Sequence, residues 1–186
     1  MNKIILGFVG PIASGKGTIC QYLKEKHGAE IFRFSTMLRD VLDRFYIPQS
    51  RENMQAVSSA LRQTFGDELM AKTIATDATK APAEIVGIDG VRRLPDIKHL
   101  REIPGFYLVA IVADQKTRFE RITKRGENID DSQKTFEDFK RDEQREAEVQ
   151  IAEVVGAADF TLNNDGTVEE LYGQIDNILN KINNNS

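Results

Sequence analysis

Apolar positions along the chain alternate between two rhythms. Six apolar or small residues, Ile4 to Val9, run without a polar break, the pattern of a parallel strand buried on both faces. Ile19, Cys20 and Leu23 then recur at helical spacing to about Lys26, with His27-Gly28 closing the helix. Glu30 to Phe34 alternates and predicts a second strand. Ser35 or Thr36 is expected to cap a helix carrying Met37, Leu38, Val41 and Leu42, and Ser50 a further helix to about Phe65. Gly66-Asp67 interrupts, and another helix is expected from Glu68 to about Lys80. Glu84 to Ile88 reads as a third strand ending at Asp89-Gly90, followed by a short helix or turn from Arg92 to Arg101. Phe106 to Val112 is the fourth strand, and Asp114 is expected to cap a helix to about Lys124. A polar loop from Arg125 to Ser132 precedes one charged helix from about Phe136 to Val155, and Asp159 to Leu162 is the fifth strand. Asn163 to Gly166 turns the chain, Thr167 with Glu170 forms a capping box for the last helix, and the tail from Asn183 to Ser186 is expected to fray.

Strands alternating with helices imply an α/β, three-layer fold with a five-stranded parallel sheet covered on both faces. The helices between the second and third strands exceed a minimal crossover and read as an insertion. Ligands in such sheets bind outside the carboxyl ends of the strands. The segments that follow strands are therefore where chemistry is sought.

Composition narrows the class. The chain has 186 residues, 40% hydrophobic and 29% charged, which suits one globular domain with a sizeable core. A formal net charge of −4 leaves no surplus of Lys and Arg for a nucleic-acid backbone. One cysteine, Cys20, excludes an intramolecular disulfide and a Cys-based zinc site, and its helical position reads as core. No apolar run approaches membrane-spanning length, and Ile4 to Val9 is too short for a signal sequence. A cytoplasmic protein, monomeric or a small homo-oligomer, is the expectation, with neither nucleic acid nor membrane as partner.

The chemistry starts at Gly10-Pro11-Ile12-Ala13-Ser14-Gly15-Lys16-Gly17-Thr18, between the first strand and the first helix. Gly-x-x-x-x-Gly-Lys in that context is the P-loop pattern. The glycines let successive backbone N–H groups point inward at phosphate oxygens, and the helix start adds the positive end of its dipole. Lys16 supplies a point charge, so Gly10, Ala13, Ser14, Gly15, Lys16, Gly17 and Thr18 are the expected ATP-binding residues. The Thr18 hydroxyl and the Asp89 carboxylate, which directly follows a buried strand, are the candidate Mg²⁺ ligands.

Gly-Lys-Gly-Thr, with glycine between the lysine and the hydroxyl, resembles the nucleoside monophosphate kinases, of which adenylate kinase is the best-known member. Asp89-Gly90-Val91-Arg92-Arg93 is similar to the Asp-Gly-Phe-Pro-Arg segment of adenylate kinases, which selects Arg93 for the monophosphate. An archaeal family related to adenylate kinase has a pattern nearer Asp-Gly-Ile-Arg, which selects Arg92, and both are kept. Phe34-Ser35-Thr36-Met37-Leu38-Arg39 resembles the monophosphate-binding segment of the same kinases, implying Ser35, Thr36 and Arg39 at the acceptor phosphate, with Asp89 beside it. Arg51 to Gln55, with Gly66-Asp67, looks like phage deoxynucleoside monophosphate kinases. Arg118 to Gly126 resembles the start of the adenylate kinase lid, implying Arg121 against the nucleotide base and Arg125 on phosphate, with Arg141 and Arg145 facing them from the far side of a short loop. The turn Asn163-Asn164-Asp165-Gly166-Thr167 is similar to the adenine-contacting turn of dephospho-CoA kinases, implying Asn164 and Gly166 at the nucleotide.

The resemblance implies one P-loop kinase domain over 1–186, with a monophosphate-binding insertion at about 35–80 and a lid at about 125–141. Lys16, Arg92, Arg93, Arg125 and Arg141 are its implied catalytic residues, with Arg145 binding substrate. A monophosphate acceptor attacks through an oxygen already anionic and needs no general base, whereas a hydroxyl acceptor does. Ser35-Thr36 after the second strand favours a phosphate acceptor, while Asp40 keeps the hydroxyl reading open, as in dephospho-CoA kinase. A P-loop ATPase or regulator is the remaining alternative. Ile97 stands where adenylate kinases place a base-reading Gln, and the lid is short, so base and sugar stay open. The polar stretch from Arg125 to about Thr135 has little to bury and is expected to move.

Overall fold

The computed structural model describes residues 3–125, 135–143 and 146–184. The expected mobile stretch after Arg125, most of the expected lid and Arg145 lie outside them. The described chain runs β1 (Ile4–Val9), α1 (Lys16–His27), β2 (Glu30–Arg33), α2 (Phe34–Arg44), α3 (Arg51–Phe65), α4 (Leu69–Lys80), β3 (Ile85–Asp89), α5 (Leu94–Leu100), β4 (Phe106–Val112), α6 (Gln115–Arg125), α7 (Phe136–Glu143), α8 (Glu146–Gly156), β5 (Phe160–Asn163) and α9 (Val168–Asn184). The sheet is wholly parallel, in the order β2-β3-β1-β4-β5.

Side chains alternate across a strand, so a buried central strand feeds two cores. Ile5 and Val9 of β1 join Val86 and Ile88 of β3 and Leu108 and Ala110 of β4 on one face. There they pack under Leu38 of α2, Met70, Ala71 and Ile74 of α4, Ile97 and Leu100 of α5, and Ile151 and Val154 of α8. Ile4, Leu6 and Phe8 join Val109, Ile111 and Leu162 on the other face, under Ile19, Cys20 and Leu23 of α1 and Leu171, Ile175 and Leu179 of α9. The register pairs Phe8 with Asp89 and Val9 with Ala110, which brings the carboxyl ends of β3 and β4 to either side of the loop after β1.

Local chemistry explains most of the element ends. Gly28 closes α1 in the left-handed conformation, φ 65°. Ser50 caps α3 by accepting from the Asn53 N–H at 3.1 Å. Thr167 and Glu170 exchange hydrogen bonds at 2.9 and 3.2 Å as a reciprocal box at α9. Asp114 sits just before α6, its carbonyl accepting from the Arg118 N–H at 2.9 Å. Glu68 ties α4 to α5 through Lys98 at 3.4 Å and His99 at 2.8 Å, and the His99 contact, with Lys72, holds its carboxyl down at about 2.

Two boundaries differ from expectation. The helix after β2 starts at Phe34 with extended Arg33 as N-cap, so Ser35 and Thr36 lie inside its first turn and neither caps it. Phe34 turns into the core there instead of finishing the strand, because burying its ring outweighs a side-chain cap. The charged stretch of 136–155 is helical in both of its described parts, α7 and α8, and residues 144 and 145 between them lie outside the described residues. Thr135 starts α7: its hydroxyl accepts from the Asp138 N–H at 3.1 Å while Asp138 accepts from the Thr135 N–H at 3.2 Å. The asparagine tail is helical as far as Asn184.

Cys20 is buried directly behind the loop after β1. Burial, and then the Asp89 carboxylate, push its thiol up to about 12 against the smaller pull of Arg33 and Lys16. A thiol-exchange reagent at mildly alkaline pH should therefore leave Cys20 untouched in the native chain and titrate one thiol in concentrated guanidinium chloride. Rapid labelling of the native protein would contradict this burial.

Candidate functional site

The loop from Gly10 to Gly15 is shaped by close approach. A Cβ on Gly10 would overlap the Ile111 carbonyl of β4, and one on Gly15 would overlap the Asn164 amide beyond β5. Gly15 also has φ 107°, which L side chains rarely adopt, and Ala13 follows the left-handed route at φ 59°. Gly15 precedes α1 without a side-chain cap, so the first N–H groups of the helix have neither a capping side chain nor a carbonyl within the helix. No acidic residue occupies that first turn. The result is a concave row of backbone donors beside a helix N-terminus, which favours an anion.

Asn164 braces this loop from the far strand. It is buried, donates through Nδ2 to the Ser14 carbonyl at 2.8 Å, and its carbonyl accepts from Arg121 Nη2 at 2.8 Å. Arg121 Nη1 is buried with no hydrogen-bond partner, as is the Ser14 hydroxyl. Buried polar atoms left in this way cost stability unless something binds them. Lys16 folds back and donates to the carbonyls of Gly10 at 2.6 Å and Pro11 at 2.9 Å. Its ammonium therefore lies on the loop itself. Gly17 and Thr18 are exposed on the first turn of α1, and Gly166 lies in the turn before α9.

At the end of the neighbouring strand, Asp89 forms an ion pair with Arg33 at 3.2 Å across the β2–β3 register. Mg²⁺ commonly takes one or two protein oxygens and otherwise phosphates and water. Thr18 and Asp89 can meet that modest demand, and among the described residues no cluster of three or more His, Cys, Asp or Glu side chains holds a metal unaided. ATP and Mg²⁺ thus fit the residues present.

The arginines are distributed unevenly. Arg93, after β3, lies between Asp67 and Asp96, while Arg92 is exposed. Ser35 is half-buried; Thr36 and Arg39 are exposed on α2, with Arg39 donating to Gln49 at 2.6 Å. Arg141 pairs with Asp138 of its own helix and its side chain is 74% exposed. The Thr135 hydroxyl, donating to Asp138, holds that carboxyl below its usual value. Arg125 ends α6, and its side chain, like Arg145, lies outside the described residues. The structure thus gathers Gly10 to Thr18, Arg121 and Asn164 around one loop, and sets Arg92, Arg93 and Asp89 at the adjacent strand end. It does not bring Arg141 to either.

Sequence reasoning missed Arg118 and Glu143. Arg118 is buried, forms an ion pair with Glu143 of α7, and donates to the Ala113 carbonyl at 2.9 Å and to the Ile12 carbonyl of the loop at 3.4 Å. Phe139, fully buried, packs beside it against Phe119. The signal was the pair Phe136 and Phe139, at helical spacing in an otherwise charged helix. Glu143, Pro11, Val112 and Ile151 line a cavity of about 430 Å³ beside the loop.

Comparison with known proteins agrees with this geometry. A family model described as an AAA domain matches residues 9–140. A "UPF0200 protein" of Sulfurisphaera tokodaii is 31% identical over 180 residues, covering 96% of this chain and 97% of its own. One from Methanothermobacter thermautotrophicus is 28% identical over 183 residues, covering 98% and 92%. Among solved structures, shikimate kinase from Bacteroides thetaiotaomicron superposes with a TM-score of 0.64 at 13% identity, covering 95% of this chain and 98% of that one. The last likeness is one of fold: the five-stranded parallel sheet with its helices is that of P-loop kinase-like proteins.

Asn164→Ala removes the donor to the Ser14 carbonyl and an acceptor for Arg121. The cost should be about 1–3 kcal/mol, seen as a lower denaturation midpoint at unchanged slope, together with weaker ATP binding by calorimetry. Unaltered stability would remove Asn164 as the brace.

Proposed function

We propose, on the premise that the chain belongs to the AAA-domain family and to the family of UPF0200 proteins, that it transfers the γ-phosphoryl group of Mg-ATP to a nucleoside or deoxynucleoside monophosphate. The observation that carries this reading is the pair of cationic sites on neighbouring strands. The donor-lined loop with Lys16 follows β1, and Arg92 and Arg93 follow β3. An ATP-driven switch needs only the first. A phosphotransferase needs the second to hold an anionic acceptor in line with the γ-phosphorus.

In this reading the loop N–H groups and Lys16 hold the β- and γ-phosphates, Lys16 exchanging the Gly10 and Pro11 carbonyls for phosphate oxygens. Arg121, with its unpaired Nη1, lies with Asn164 and Gly166 at the adenine side. Thr18 and Asp89 would hold Mg²⁺, which when bound would supply neutralisation of charge on the transferred group. An acceptor phosphate oxygen forms the new bond to γ-phosphorus as the bond to the β-bridging oxygen breaks and ADP leaves. No proton is transferred, so no base is required. The insertion at about 35–80, with Ser35, Thr36 and Arg39, borders the acceptor. The lid at about 125–141, with Arg125, Arg141 and Arg145, closes over the phosphates and excludes water, all within one domain over 1–186.

The superposition on shikimate kinase supports a second reading, a kinase of a hydroxyl-bearing metabolite. It would need a carboxylate base near the strand ends. Asp89 is paired with Arg33 and Asp40 is exposed on α2, so a monophosphate acceptor is the better fit.

A panel decides. ADP formation from Mg-ATP should accelerate with at least one nucleoside monophosphate, and Lys16→Met should lower that turnover by orders of magnitude with the fold intact by circular dichroism. ATP hydrolysis indifferent to every monophosphate, dephospho-CoA and shikimate would refute the kinase reading.

A further inference from the structure

Asp96 is the third residue of α5 and is only 3% exposed. Its Oδ1 makes no hydrogen bond and lies 3.7 Å from Arg93 Nη2. Burial pushes this carboxyl above its usual range, against the pull of the Arg93 guanidinium and of the backbone N–H groups of Arg92 and Arg93. A buried carboxylate needs a compensating cation, and Arg93 is the one beside it.

The same guanidinium meets a second carboxylate of opposite character. Asp67, in the turn between α3 and α4, has a 70% exposed side chain with Oδ1 3.8 Å from Arg93 Nη1, and its carbonyl accepts from Arg93 at 3.4 Å and from Arg62 at 2.9 Å. Arg93 Nε is buried with no partner. Neither carboxylate is at hydrogen-bond distance. One is fixed in the core, and the other is screened by solvent and easily displaced.

We infer that Asp96 is a positioning residue that holds the Arg93 guanidinium toward the acceptor side, and that the exposed Asp67 carboxylate stands where an anionic phosphoryl group of the substrate binds. The assignment rests on the phosphate-acceptor reading above and selects Arg93 over exposed Arg92 as its principal grip. It predicts opposite effects from two chemically identical changes. Replacing either Asp by Asn removes one negative charge near the anion site, which by Coulomb's law alone favours an anion in both cases. Positioning reverses the sign at Asp96 only, because the Asn side chain keeps an acceptor for the turn N–H groups but no longer fixes Arg93.

The test uses the full chain with ¹⁵N-labelled arginine and inorganic phosphate as probe. The Arg93 Nε–H signal is identified by its loss in Arg93→Lys. The dissociation constant is read from that signal alone, so phosphate taken at the loop after β1 does not count. Asp96→Asn should weaken phosphate binding about tenfold, and Asp67→Asn should tighten it about two- to fivefold. Tightening in both variants, or no response of Arg93 to phosphate, overturns the assignment. Should Asp96→Asn not fold, Asp67→Asn still decides, since binding no tighter than wild type would leave Asp67 no role as the displaced group and sink the proposal. An Arg93 that answers phosphate in this way, in a chain that turns over no monophosphate, would refute the kinase reading and leave this assignment standing. The converse outcome would spare the reading and remove Asp96.

Discussion

The site depends on one buried contact, the Asn164 amide against the carbonyl of Ser14. The loop after β1 is held in an unfavourable backbone path by what surrounds it, and Asn164 is the polar part of that surround. Gly15 is glycine because Asn164 occupies the space where a Cβ would be. Arg121 is aimed because the Asn164 backbone carbonyl accepts a hydrogen bond from its Nη2. The last strand of the sheet thus sets the conformation of the first loop in the chain, 150 positions away. A preorganised donor row of this kind binds an anion without reorganising at the moment of reaction.

Charge is the second organising theme. The cations expected to meet phosphate are engaged by the protein itself: Lys16 by loop carbonyls, Arg93 by Asp67 and Asp96, and Arg141 by Asp138. These contacts differ in strength according to burial. The exposed Arg141 pair is worth little in water, whereas Arg118 with Glu143 is buried and fastens α7 to α6 beside the loop. The exposed pairs are the ones a polyanionic ligand displaces at small cost.

Much of this was legible in the sequence. The five strands stand out because each is a short apolar or alternating run that ends in a chemically distinctive segment. Gly10 to Lys16 and the Thr167–Glu170 box are local patterns whose meaning needs no distant partner. What escaped notice depends on distance. Arg118, Glu143 and Asp96 are unremarkable charged residues in sequence until the fold brings Arg118 to Glu143 and buries Asp96 beside Arg93. Phe34 misled because alternation continued one residue past the strand, whereas burial of its ring starts the helix there. Arg92 and Arg93 are indistinguishable as neighbours, and the carboxylates around Arg93 separate them.

The strand order carries a consequence for synthesis. β1 is made before the other four strands but sits at the centre of the sheet, paired on one side with β3 and on the other with β4. β2, although next in sequence, has no place beside β1, because β3 lies between them. A nascent chain grown as far as Lys80 therefore holds two apolar strands with neither correct neighbour yet translated. Until Asp89 has emerged β1 presents two open edges, and until Val112 has emerged still one, to solvent or to any other chain being made. The helices interposed between β2 and β3 lengthen that interval, so the 35–80 segment also delays closure of the sheet.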